Sequence, residues 1–172
     1  MLFEGDINKW ASGSRSVPRQ GATYDEITRQ TAFNAASAAA AAAKDGPLPF
    51  GFVSAAEAGW TFDAALKGSP VEWMHRYLIA KRAVESKLID EYAADGKLRP
   101  VIVRPSLIFT YDKPAKLLPV AAFALGNAIG LPFVDRPVTL DTVAKSLLAG
   151  VETPGETGIF GFKEMDRLAA RF

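Results

Sequence analysis

The 172-residue chain has no cysteine, one histidine and almost no net charge, with 20 basic against 19 acidic side chains. Without cysteine there is no disulfide framework, no zinc-thiolate centre and no cysteine nucleophile, and no metal site is expected. A formal charge of +1 provides no sequence-wide field for nucleic acid or anionic lipid, so any partner must be recognised by a local site. Arg15 and Arg19 form no basic run, and no nucleic-acid partner is expected. The opening Met1-Leu2-Phe3-Glu4-Gly5-Asp6 turns acidic at once, unlike a secretory leader or a mitochondrial presequence. Long hydrophobic runs are scarce as well. Leu117 to Val134 carries only Asn127 as a polar residue, but Pro119, Gly126, Gly130 and Pro132 argue for a buried or surface-docking helix and against a transmembrane span. What remains is 49% hydrophobic with 14 glycines and 11 prolines, the profile of an ordinary globular protein.

Along the chain, residues 8–22 read as a polar loop. Thr23 with Glu26 forms a capping-box pattern, and the Ala-rich segment from Tyr24 to Lys44 predicts a helix whose small side chains allow close packing on a sheet. Phe50 to Ser54 predicts a buried parallel strand, reached through Pro-Leu-Pro. After a loop with Gly59, Gly68 and Pro70, the apolar positions Met74, Tyr77, Leu78, Val84, Leu88 and Tyr92 follow a 3.6-residue period. They predict a helix over 71–94 that is closed by Asp95-Gly96. Val101 to Val103 predicts a second buried strand, and helix, strand, helix, strand in this order means a parallel α/β sheet. Beyond Tyr111 the prolines multiply. A helix over Leu140 to Val151, a strand over Gly158 to Phe162 and a terminal helix over Lys163 to Phe172 predict a small C-terminal lobe, residues 112–172, beside a first domain of residues 1–111.

Tyr77 and Lys81 lie four residues apart and share one face of the predicted helix. An ammonium beside a phenol favours the phenolate, which suits proton exchange with a substrate hydroxyl or carbonyl during hydride transfer. The same spacing also fits a core tyrosine with a lysine reaching outward to water. Ser54 ends the first predicted strand 23 residues before Tyr77, and Arg104-Pro105-Ser106 ends the next. His75 falls on a different side of the helix from Tyr77 and reads as a core residue, and Trp60 and Trp73 as packing around the intervening loop.

The blocks F-V-S-A, Y-L-I-A-K-R-A-V-E and V-I-V-R-P-S-L-I-F, in this order, resemble the central part of extended and atypical short-chain dehydrogenases/reductases, the NAD-dependent epimerase/dehydratase group. The resemblance covers about residues 23–110 and, through Arg136 to Lys145, part of the tail. K-R-x-x-E after the tyrosine and R-P after the second strand look most like the atypical mitochondrial branch, whose members are tied to respiratory complex I and ubiquinone biosynthesis. It implies Tyr77 as acid/base, Lys81 on the nicotinamide ribose, Ser54 as the catalytic serine, and Pro105 with Ser106 lining the nicotinamide pocket. Where that group's hydroxyl stands a residue or two past the strand's first serine, this chain has Ala55 and Ala56, which favours cofactor binding without turnover. The implied fold is the second half of a Rossmann-type doubly wound sheet plus a small lobe. The implied role is that of a mitochondrial NAD(P)-binding scaffold, in a protein complex at the inner membrane, with an active oxidoreductase or epimerase as the alternative. No G-x-G-x-x-G or G-x-x-G-x-x-G follows a predicted strand, so the N-terminal Gly-rich βαβ units are expected to be missing by truncation, and NAD or NADP to bind weakly or not at all.

Overall fold

The structure is a computed structural model that describes residues 23–69, 72–111, 117–129 and 135–172. The loop reading of residues 8–22, the helix start at Val71, the lobe boundary near 112 and the end of the apolar stretch at Val134 lie outside them.

Thr23 caps the first helical segment as its sequence predicts: Glu26 N donates to Thr23 Oγ1 at 3.1 Å and Thr23 N to the Glu26 carboxylate at 3.2 Å. A wide π-helical turn, Asp25–Gln30, runs into helix α1, Thr31–Ala42. Strand β1 is Leu48–Val53, and the loop after it contains two 3₁₀ turns, Ala56–Gly59 and Asp63–Leu66. Helix α2, Glu72–Ser86, continues as a π-helical segment, Lys87–Ala93. Its end is built by Gly96 at φ +66°: Gly96 N donates to Ala93 O and Lys97 N to Tyr92 O, which satisfies the last carbonyls and aims the chain into strand β2, Leu98–Val103. Strand β3, Ile108–Phe109, helix α3, Leu117–Ala128, strand β4, Val138–Thr139, helix α4, Leu140–Glu152, strand β5, Gly158–Phe160, and helix α5, Phe162–Ala169, complete the described chain.

The main sheet is parallel, in the order β1-β2-β5, and β3 pairs with β4 in a separate parallel pair. This is a mixed α/β fold with a small parallel sheet. Helices cover both faces of it. On one side Ala36 of α1 and Val84 and Leu88 from the α2 segment pack on Leu98 and Ile102; on the other Val143 and Ala149 of α4 and Met165 and Leu168 of α5 pack on Val101 and Val103. The chain beyond residue 112 therefore supplies a strand and two helices to the same core. Gly150 brings α4 close to the sheet, since a Cβ there would stand 2.5 Å from Val101 Cγ1. Arg99 holds the end of α4 in place by donating to Gly150 O at 2.9 Å, to Val151 O at 2.6 Å and to Glu156 O.

Both main strands start earlier than their sequence suggests, and each takes in a proline. Leu48 N donates to Lys97 O and Ser54 N to Val103 O, so alternation turns Pro49, Gly51 and Val53 away from β2. The missing N–H of Pro49 thus costs no bond in the ladder. Pro100 faces the β5 side, but that pairing begins only at Val101 with Gly158, and Pro100 O accepts from Thr157 Oγ1 instead. The expectation of a buried first strand over Phe50 to Ser54 is corrected: β2 is buried, whereas β1 is an edge strand among the described residues, with Gly51 exposed and Phe50, Phe52 and Val53 only partly buried. Within the apolar stretch from Leu117, the described residues form α3, with Leu125 and, just past its end, Ile129 exposed. Among the described residues, no helix is long and apolar enough to cross a membrane.

Candidate functional site

The carboxyl ends of parallel strands gather loop residues at one edge of a sheet. Ser54, immediately after β1, and Arg104, Pro105 and Ser106, immediately after β2, lie side by side there: Ser54 N donates to Val103 O and Ala56 N to Pro105 O. Helix α2 crosses above them. Leu78 packs down on Ala55 and Ala58, with Met74 and Tyr77 against the same cluster, and this fixes the height of Tyr77 and Lys81 over the strand ends. All the site residues expected from sequence thus belong to one end of the sheet.

Their geometry is specific. Lys81 Nζ donates to Val53 O at 2.7 Å, on the edge of β1 that faces away from β2, and sits 4.8 Å from the centre of the Phe52 ring and 5.4 Å from that of Tyr77. Stripped of water by these neighbours, and only partly compensated by the Glu85 carboxylate, the ammonium is pushed down to about 8. Tyr77 moves the other way. Burial, with the Glu57 and Tyr24 groups adding to it, pushes its phenol up to about 12, so Lys81 does not make it a phenolate in this arrangement and at neutral pH Tyr77 is a hydrogen-bond donor. The Tyr24 ring meets Tyr77 edge-on at 5.4 Å. Ser54 Oγ is buried and has no hydrogen-bond partner.

Arg104 does not reach the site. Its guanidinium makes two bonds, of 2.8 and 2.5 Å, to the buried Glu85 carboxylate, which holds the arginine charge even more firmly than usual. His75 is buried, as expected, and Nδ1 lies 2.7 Å from Asp63 Oδ2, which also accepts from Arg82 Nη2 at 2.6 Å. Arg82, with His75, keeps the Asp63 carboxyl below its ordinary range in spite of burial, and the cluster pins the loop of the 3₁₀ turns to α2.

Two clefts flank this end of the sheet. Tyr77 faces one of about 330 Å³, between α2 and the chain after β2, with Met74, Leu78 and Leu107 among its apolar lining and Glu57, Ser106 and the Trp73 indole N–H as its other polar side-chain groups. Ser106 Oγ donates to Glu57 Oε1 at 3.4 Å; desolvation, opposed by this bond and a backbone one, raises the Glu57 carboxyl, and Asp135 adds to the shift. Lys81 instead opens on a groove of about 320 Å³ between α1 and the outer edge of β1, beside Thr28, Thr31 and Gly51. Glu57 and Tyr24 carry no signal in the sequence: each reaches Tyr77 only because a loop and a helix start fold back on α2. Among the described residues, no cluster of three or more His, Asp or Glu could hold a metal.

Comparisons with protein-family models, with curated proteins and with solved structures returned no match.

Proposed function

We propose that this end of the sheet is the nicotinamide side of a Rossmann-type NAD(P) site of the atypical short-chain dehydrogenase/reductase group, held by a chain that binds the nucleotide weakly and acts as a scaffold. The observation that carries this reading is the placement of Ser54, Tyr77, Lys81, Pro105 and Ser106 at the carboxyl end of parallel β1 and β2, with Tyr77 and Ser106 on one cleft and Lys81 on the groove beside it. Within that arrangement Ser54 has a buried oxygen lacking a partner. The residues fit the ribose end of such a nucleotide. Lys81 keeps donors beyond its bond to Val53 O, and Tyr77 is a neutral donor. When bound, the nicotinamide would supply a hydride donor or acceptor.

Two features support binding over turnover. The phenol of Tyr77 is raised rather than activated, and Ala55, where a hydroxyl would be expected to orient a carbonyl, packs its methyl group under Leu78. That no G-x-G-x-x-G or G-x-x-G-x-x-G follows a predicted strand supports weak binding, because such a turn is what cradles the pyrophosphate. The mitochondrial setting and the link to complex I or ubiquinone biosynthesis belong to the same proposal and rest on the sequence resemblance.

Melting curves of the chain with NADH and NADPH test this reading. A rise in melting temperature is expected only at roughly millimolar nucleotide, and Lys81→Ala should abolish it. No rise with either nucleotide, or a rise unaffected by Lys81→Ala, defeats the reading. Hydride transfer that disappears with Tyr77→Phe would instead establish the oxidoreductase alternative.

A further inference from the structure

We infer that the cleft beside Tyr77 takes an uncharged, largely apolar ligand bearing one hydroxyl or carbonyl group, and turns away carboxylates and phosphates. The inference deepens the preceding reading and rests on it only for the role of this cleft as the substrate side.

The size, about 330 Å³, is at the small end for ligand sites. The lining is mostly apolar, and its polar side-chain groups are the Tyr77 phenol, the Ser106 hydroxyl, the Trp73 indole N–H and the Glu57 carboxyl. Among the described residues that line it, none is basic. Among the described residues, the cations around this end of the molecule are paired elsewhere: Arg104 with Glu85, Arg82 with Asp63 and Arg136 with Asp166, while Lys81 donates to Val53 O in the other groove. Two carboxyl groups act on the cleft, since Asp135 lies close enough to Glu57 to be felt by it. An anionic ligand would lose its water, meet like charge and find no counter-ion, which costs far more than it gains from the apolar walls. A neutral ring with a single oxygen finds the opposite. Its apolar body fills the walls, and Tyr77, a donor at neutral pH, bonds the oxygen.

The test uses a matched pair of probes, naphthol and naphthoate, whose fluorescence reports binding to the full chain at neutral pH. Naphthol should bind about tenfold or more tighter than naphthoate. Glu57→Gln should narrow that ratio by admitting naphthoate. Ile108→Arg, at a lining position that is 41% exposed and so tolerant of a long side chain, should reverse the preference by placing a cation at the mouth. Unchanged melting temperatures show that both variants fold. Equal or tighter binding of naphthoate to the parent chain overturns the inference, as does binding of neither probe, or a ratio that neither variant moves. Naphthol selectivity without any NADH effect on melting would support this inference and defeat only the nucleotide reading.

Discussion

Lys81 and Tyr77 share a helix face, yet their ionisations are pushed in opposite directions by one cause, loss of water. The consequences for stability have opposite signs. Between about pH 8 and the ordinary 10.5, the unfolded chain holds the Lys81 proton and the folded chain does not, so this group makes stability rise with pH. For the phenols of Tyr24 and Tyr77, the folded chain keeps the proton from the ordinary 10.0 up to about 12, so they make stability fall across that interval. Ultraviolet titration should show two of the four tyrosines resisting ionisation until about pH 12. The NMR signal of a methylated Lys81 amine should titrate near pH 8, and a midpoint near 10.5 would mean that the lysine lies in water.

At the scale of elements, the closest fit is between α4 and β2. Both Gly150 and Val101 are buried, and Arg99 from the same strand ties down the helix end. Gly150→Ala ought to favour a helix by intrinsic propensity, but here its methyl would enter the space of Val101 Cγ1. Overpacking is expected to win, with a loss of about 1–3 kcal/mol in urea unfolding. Adding Val101→Ala should recover part of that loss, because it vacates the contested volume. A pair of losses that simply add would show that α4 does not press on Val101.

At the scale of the whole molecule, the C-terminal segment is tied to the sheet by charge as well as by packing. Glu156, just before β5, accepts from Arg167 of α5 at 2.7 and 2.8 Å and from Arg171 at 2.7 Å, which holds its carboxyl down at about 2. A lowered carboxyl stabilises the fold above its ordinary value of 4.5 and loses that contribution as pH falls toward 2. The urea midpoint should therefore drop through this acid window, and Glu156→Gln should flatten the drop while lowering stability at neutral pH. Among the described residues β1 forms the opposite edge of the sheet, and it is defended differently. Of the outward-facing positions of β1, Pro49 has no N–H to offer, and the carbonyl of Val53 is occupied by Lys81. Proline and lysine at an edge are the devices that discourage further strands from adding.

Much of this was legible in the chain. The 3.6-residue period placed α2 and set Tyr77 and Lys81 on one face, because a helix's own geometry decides which side chains are neighbours. The capping pair Thr23 and Glu26 and the turn glycine Gly96 were equally readable, since their bonds are local. Sequence by itself also determined that there is no cysteine chemistry and no overall charge to attract a polyanion. Tertiary structure alone decided the rest. Whether Pro49 and Pro100 could sit in strands depended on which side their missing N–H groups faced. Whether Lys81 activates Tyr77 depended on Val53 O capturing the ammonium and on Glu57 and Tyr24 folding over the phenol. These are contacts between residues far apart in the chain, and the cost of dehydrating a charge is fixed by whatever surrounds it in three dimensions, which no local spacing encodes.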